Sequence, residues 1–202
     1  MLMQFIKFTG ILPLRLLYGM RTKGMANLRE GRCILVVNHS SQMDAALLNM
    51  VLPRKRISFL CSRRLFQCPK FCQAFLRWFG AIPVSNPARD IQVMRERAEG
   101  ASRKELLGYF AQGMISAGRP AFKPGAALLA LQTGLPLIPV YIRVAPFYRG
   151  GSLIVAGEPV PVEKHPVPTP EEVTALTAQL HDRVWALADQ YDVGKTQKET
   201  ST

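Results

Sequence analysis

His39 and Asp44 stand five residues apart in the stretch Ile34-Leu-Val-Val-Asn-His-Ser-Ser-Gln-Met-Asp44. An imidazole with a carboxylate beside it is the minimum equipment for taking a proton from a hydroxyl as that hydroxyl attacks an electrophile. The residues before the pair are aliphatic and β-branched and read as a buried strand. Those from Ala45 on follow an apolar helical pattern. Strand, polar turn, helix is the arrangement that puts side chains at the mouth of an α/β sheet, where sites are commonly built.

The elements that must hold this turn are legible on either side. Cys33–Val37 reads as the strand, Ala45–Leu52 as a short helix stopped by Pro53, and Ile57–Cys61 as the next strand. Gly80–Val84 is a further short strand. Asp90–Leu107 is predicted to be a charged amphipathic helix with Ile91, Met94, Ala98 and Leu106 facing inward, and Leu107–Ala111 a strand that empties into the glycine-containing loop Gln112–Gly118. Gly125–Leu131 reads as a small-residue helix, and Leu135–Val144 and Leu153–Ala156 as aliphatic strands. Thr169-Pro-Glu-Glu172 supplies an N-cap, a first-turn proline and a capping-box glutamate for a helix reaching about Tyr191. Strands alternating with helices imply an α/β fold, a single-domain mixed αβ sandwich.

Three segments follow: residues 1–24, an amphipathic stretch suited to a membrane interface; 25–191, the folded domain; and 192–202, a polar disordered tail. The first is rich in Leu, Ile, Phe and Met, but Lys7, Pro13 and Arg15 interrupt it. It therefore lacks the roughly 20 uncharged residues of a spanning helix. Phe5, Ile6, Phe8, Ile11 and Leu12 can dip into an interface while Lys7 and Arg15 snorkel, which describes an N-terminal amphipathic helix.

Charge is distributed unevenly along the 202 residues. The chain carries a net +12, and residues 1–89 account for all of it, with 14 Lys/Arg against Glu30 and Asp44. Between Asp44 and Asp90 there are eight cations and no acid, and Leu65–Phe79 mixes Phe66, Phe71, Phe75, Trp78 and Phe79 among Lys70 and Arg77. Apolar bulk with exclusively positive charge is what a surface facing anionic headgroups needs. Nucleic acid is disfavoured as a partner, because these aromatics sit in apolar runs rather than spaced as stacking platforms on a strand. Cys33, Cys61, Cys68 and Cys72 form no C-x-x-C pair and have no histidine at metal spacing, so a reduced chain without structural zinc is expected.

The Asn-His-x-Ser-x-x-Asp pattern at Asn38, His39, Ser41 and Asp44 resembles the first motif of the glycerolipid acyltransferases, the family of 1-acyl-glycerol-3-phosphate acyltransferase. Three further blocks stand in that family's order. Gly80-Ala-Ile-Pro-Val84 resembles the second. Phe110-Ala-Gln-Gly-Met-Ile-Ser116, with Phe122-Lys-Pro-Gly-Ala-Ala127 behind it, resembles the third. Leu135-Pro-Leu-Ile-Pro-Val140 resembles the fourth, and Gly157-Glu-Pro159 also sits where the family has it. The resemblance covers roughly residues 25–160.

It implies transfer of a fatty acyl group from an acyl thioester, acyl-CoA or acyl carrier protein, to the free hydroxyl of a lysophospholipid, 1-acyl-glycerol-3-phosphate first. No cofactor beyond the thioester co-substrate is expected, and the implied place of work is the cytoplasmic face of a membrane. His39 would act as general base, with Asp44 fixing its tautomer. Because the substrate supplies the attacking hydroxyl, Ser40 and Ser41 are expected to serve the turn rather than to attack. Asn38, Ser41, Gln112, Gly113, Arg89, Arg119 and Lys123 are the expected substrate-binding residues.

Two departures stand out. The family's third block normally reads Phe-Pro-Glu-Gly-Thr-Arg-Ser, whereas this chain has Gln112 for the acid and Ile115 for the arginine. Ser85-Asn86 follows the second block, where the family often has an arginine. Losing a guanidinium that can grip a phosphate with two hydrogen bonds is a serious change. Arg89, Arg119 and Lys123 are the nearby cations that can replace it. The same departures motivate two other readings: an acyltransferase for a different acceptor lipid, and a catalytically silent membrane-binding relative.

Overall fold

The computed structural model describes residues 16–28, 32–52, 56–84, 87–100 and 105–192. Seven strands form one sheet in the order β1-β7-β6-β2-β5-β3-β4, where β1 is Arg21–Lys23, β2 Ile34–Val37, β3 Arg56–Ser62, β4 Ala81–Val84, β5 Glu105–Phe110, β6 Leu137–Arg143 and β7 Leu153–Ala156. The five strands from β6 to β4 run parallel. β7 is antiparallel to β6, and β1 pairs parallel with β7.

Helices cover both faces, which is why the strands at the centre are aliphatic throughout rather than alternating. All four β2 residues are fully buried. Ile34 and Val36 face one layer, with Met94, Ala98, Leu129, Leu180 and Val184. That layer is supplied by α3 (Pro87–Gly100), α4 (Gly125–Thr133) and α5 (Pro170–Tyr191). Leu35 and Val37 face the other, with Leu47, Leu48, Ile57 and Phe59. Here the cover comes from α1 (Asp44–Val51) and the segment Tyr18–Leu28. A fifth helix, α2 (Lys70–Trp78), joins β3 to β4.

The mixed αβ sandwich is as the alternation of elements predicts, and the cap of α5 is the predicted capping box. Thr169 Oγ1 accepts from Glu172 N at 3.2 Å, and Glu172 Oε2 accepts from Thr169 N at 2.8 Å. The Asp90–Leu107 helix needs correction. It runs Pro87–Gly100, and Leu106 lies in β5 facing the α1 layer. The charged start of that strand hides it from pattern reading, yet Glu105 is satisfied inside the sheet by Ser58 Oγ at 2.7 Å and paired with Arg97 at 3.1 Å.

Residues just outside the expected 25–191 span also take part in the fold. Arg21–Lys23 pairs with Leu153–Val155, so the fold begins before residue 25. Asp192, assigned to the tail, is buried and accepts from Tyr141 Oη at 2.8 Å and Arg143 Nε at 2.7 Å. Burial, with the Asp192 carboxylate beside it, pushes the Tyr141 phenol well above its ordinary value. The amphipathic segment before Leu16 and the tail after Asp192 lie outside the described residues. Among the described residues no helix is long and apolar enough to cross a membrane.

Candidate active site

β2 lies between β5 and β6, and the chain leaves it in one direction for β3, while the connection from β5 to β6 passes it in the other. Such a reversal opens a crevice outside the carboxyl ends of the strands. His39 stands at that point. The backbone can leave the sheet after Val37 because the buried amide of Asn38 takes over the pairing with β6. Its Nδ2 donates to Ile142 O at 2.8 Å, and its Oδ1 accepts from Ile142 N at 2.7 Å. A side-chain amide thus replaces a peptide group at the strand's end and pairs both backbone groups of Ile142.

Asp44 organises the turn. Its carboxylate is fully buried at the first position of α1, where the helix dipole favours negative charge. Oδ2 accepts from His39 Nδ1 at 2.8 Å, from Ser40 N at 2.7 Å and from Ser41 N at 2.9 Å, and Oδ1 accepts from Ser40 Oγ at 3.0 Å. An ionised carboxylate is acceptor-only, so Nδ1 must carry the proton and Nε2 is left as the base. The His39 side chain is 20% exposed. Its ring lies flat on Phe110, with centroids 4.1 Å apart and planes 15° apart, and Phe110 stacks in turn on Phe59 at 4.8 Å. The three-ring column exists because β5 offers Gly108 opposite Phe59, and a Cβ there would fall inside the Phe59 ring.

The loop after β5 closes over the backbone of His39. Gln112 Oε1 accepts from His39 N, and Ser116 N donates to His39 O at 3.4 Å. Gly113 turns the loop with φ of +72°, a region that L side chains rarely adopt, and the Lys123 side chain lies in the space its missing Cβ leaves. Two polar atoms of this loop, Gln112 Nε2 and Ser116 Oγ, are buried with no hydrogen-bond partner. An unpaired buried group costs about 1–3 kcal/mol. Neither atom is used by the fold.

The expected site residues therefore separate. His39, Asp44, Gln112 and Gly113 come together, with Lys123 beside Gly113. Asn38 is engaged with Ile142, and Ser41 Oγ accepts from Met43 N at 3.2 Å, so both side chains have partners within the fold. Arg119 pairs with Asp189 of α5 through both terminal nitrogens and lies over the Trp185 ring at 5.4 Å. Its guanidinium holds the Asp189 carboxyl below the usual range. Arg119 thus tethers the loop's far end to α5. Arg89 falls in the first turn of α3, and its side chain lies outside the described residues.

Sequence reasoning did not single out Phe110, Phe59 or Ser116. Phe110 and Ser116 bracket the third block, which was the available signal, whereas the Phe59 stack depends on sheet register. A separate cavity of about 300 Å³, lined by Arg77, Ile82, Pro83, Val93 and Arg97 among others, lies at the β4 edge and includes part of the second block.

A mixed αβ sheet carries a His–Asp pair at the end of its central strand, with a loop folded over the histidine backbone, an arrangement able to take a proton from a hydroxyl. The acyltransferase family model matches residues 19–143, a span that takes in all four blocks, and the chain belongs to the acyltransferase family. It is 31% identical over 137 residues to a 1-acyl-sn-glycerol-3-phosphate acyltransferase of Cocos nucifera, covering 65% of this chain and 44% of that one. With the Limnanthes alba protein of the same name it shares 31% identity over 140 residues, 67% of this chain and 50% of that one. The chain thus spans about half the length of these relatives. The solved structure of the 1-acyl-sn-glycerophosphate acyltransferase of Thermotoga maritima is similar in fold, with a TM-score of 0.60 at 19% identity, over 92% of this chain and 78% of that one.

Proposed function

We propose that the protein transfers a fatty acyl group from an acyl thioester to the free hydroxyl of a lysophospholipid, with 1-acyl-glycerol-3-phosphate the first acceptor to test. The observation that carries the reading is the His39–Asp44 contact, which commits Nδ1 to the carboxylate and leaves Nε2 as the acceptor of a proton. The acceptor hydroxyl attacks the thioester carbonyl while Nε2 takes its proton. The resulting imidazolium is stabilised by Asp44. Collapse of the tetrahedral intermediate breaks the C–S bond, and His39 returns the proton to the leaving thiolate. No acyl-enzyme is required, which agrees with Ser40 and Ser41 being held by Asp44.

Gln112 Nε2 and Ser116 Oγ are donors suited to the oxygen that gains charge in this step, because they are buried and need no desolvation when it forms. Lys123 is the cation proposed to meet the acceptor's phosphate, since Ile115 provides none and Arg119 is engaged with Asp189. The protein acts at a membrane surface, on the cytoplasmic side where acyl-CoA and acyl carrier protein are found.

The test pairs acyl-CoA and acyl carrier protein donors with lysophosphatidate, other lysophospholipids and a neutral hydroxylated lipid, using His39→Ala as control. Turnover that is lost in a folded His39→Ala protein supports the mechanism, and the preferred pair names donor and acceptor. Preference for an acceptor without a phosphomonoester transfers the role to the second reading, which Gln112 and Ile115 motivate. Absence of turnover across the whole panel would point to a silent relative.

A further inference from the structure

The large apolar side chains left on the surface are not scattered. Leu16, Leu65, Phe71, Met114, Phe147 and Tyr148 are each at least half exposed. They come from four separate segments, and sheet register places all four on one edge. Val37 is level with Phe110 of β5 and with Val140 of β6. Leu35 and Phe59 are both level with Gly108, which brings the end of β3 at Ser62 to the height of Asn38. Arg143 pairs with Leu153, and Leu153 with Arg21. The segments at 16–20, 63–71, 113–116 and 146–151 therefore all leave or enter the sheet at the edge that carries His39. Val167 marks the contrast: it is exposed too, but follows Val160, whose partner Leu137 starts β6 at the opposite edge.

The charges carried by these segments themselves are of one sign, and the carboxylates beside them at the end of α5 are matched: Asp189 by Arg119 and Asp192 by Arg143. Residues 16–23, 63–71, 113–122 and 146–152 contain no aspartate or glutamate, and among them Arg21, Arg63, Lys70 and Arg149 are exposed. The short 3-10 turn at Phe147–Arg149 projects two aromatic rings beside an arginine. Its neighbour across the gap is the helical end of the N-terminal segment, where Gly19 packs on Phe147 and Tyr18 O accepts from Ser152 N at 2.6 Å.

We propose that this edge is a bilayer-docking collar: Phe147–Tyr148 on one side of His39 and Leu65–Phe71 on the other insert at the headgroup level of an anionic membrane, and the surrounding arginines and lysines meet its phosphates. Aromatic rings mixed with cations in discontinuous loops about one opening suit a plane of lipid, whose headgroups neutralise the arginines while the rings reach the acyl boundary. An acidic carrier protein is the competing occupant. Docked in this way, His39 faces the interface, and an acceptor lipid reaches it without leaving the bilayer. The inference deepens the acyltransferase reading and depends on it only for the consequence for turnover.

The test uses the full chain and phosphatidylcholine vesicles with or without phosphatidylglycerol, without donor, followed by sedimentation. The variants are Phe147→Ser with Tyr148→Ser, Leu65→Ser with Phe71→Ser, and Val167→Ser as the opposite-edge control, each checked by thermal melting. Removing two inserted side chains is expected to weaken anionic-vesicle binding at least about tenfold for either pair and leave Val167→Ser unchanged. Turnover of lysophosphatidate embedded in vesicles falls with binding, while turnover of a short-chain, monomeric lysophosphatidate is retained. Vesicle binding unchanged in both pairs, equal loss in Val167→Ser, or intact vesicle binding with lost affinity for acyl carrier protein would overturn the collar. Loss of binding in a chain that shows no transfer activity would leave the collar standing and remove the acyltransferase reading.

Discussion

The turn Asn38–Asp44 and the loop Gln112–Lys123 meet at the same histidine but are built on opposite terms. In the turn the polar groups are spent internally: the Asp44 carboxylate accepts four hydrogen bonds, and the Asn38 amide replaces a peptide. In the loop, Gln112 Nε2 and Ser116 Oγ are buried without partners, and the tether at the far end, Arg119 to Asp189, is exposed. A fully partnered turn holds a base at fixed orientation whether or not substrate is bound. A loop with orphaned donors stores a deficit that a bound oxygen can relieve. In the proposed reaction, the difference divides the site into a half that starts the transfer and a half that receives its charge.

That division is broken most severely at the base itself. His39→Ala is expected to lower transfer by about 10²–10⁴-fold with the melting temperature near wild type, because the ring is partly exposed. A folded variant with wild-type turnover would end the mechanism. Asp44→Asn should cost nearly as much in turnover and, unlike His39→Ala, also lower stability by about 1–3 kcal/mol. Three donors converge on Oδ2, and a side-chain NH2 placed there would face them while an oxygen there leaves Oδ1's partner, Ser40 Oγ, to reorient. Denaturant melts beside initial rates separate the two variants.

Gly108→Ala reaches the same histidine without touching it. Its Cβ would occupy the Phe59 ring position, so Phe59 must move and the column Phe59–Phe110–His39 loses its base. Overpacking of this kind costs about 1–3 kcal/mol. Turnover is expected to fall further than the fraction unfolded explains. Phe59→Leu with Gly108→Ala, which restores space but not the stack, should recover stability more than rate. Equal recovery of both would show that the stack does not position the imidazole.

Much of the turn was legible and much of the loop was not. The aliphatic run of β2, the His–Asp spacing and the capping box of α5 are local patterns, and each survives as read. What escaped depends on non-local pairing. Asn38 looks like a site residue because it is polar and adjoins His39, yet Ile142, 104 positions along the chain, takes its amide. Arg119 looks like a replacement cation until Asp189 is found beside it. β1 has three residues, too few to show a period, and Glu105 disguises a buried strand as part of a helix because its partner Ser58 lies on another strand. Sequence spacing locates the His39–Asp44 pair. Only the sheet register tells which of its polar neighbours are already engaged by the fold.

Ser116→Ala is the clean probe of the loop. Removing a buried hydroxyl that has no partner is neutral or slightly stabilising for the fold, so melting should hold or rise. Transfer should nevertheless fall, in kcat rather than KM, if Ser116 Oγ serves an oxygen that becomes charged only in the transition state. A lost rate together with a lost melting temperature would instead make Ser116 part of the scaffold, like the residues of the turn.

The smallest effect belongs to the tether. Asp189→Asn removes an ion pair whose members are both about half exposed, and such pairs contribute little in water. Its sign with pH is nonetheless fixed. Arg119 holds the Asp189 carboxyl below its ordinary value, so the pair stabilises the fold above the ordinary carboxylate pKa and loses that contribution as pH falls through the lowered one. Wild type should therefore melt slightly above Asp189→Asn at neutral pH, and the two curves should merge at strongly acidic pH. If the gap instead widened in acid, the loop would be held by something other than this carboxylate, and the contrast between a rigid turn and a loosely tethered loop would have to be redrawn.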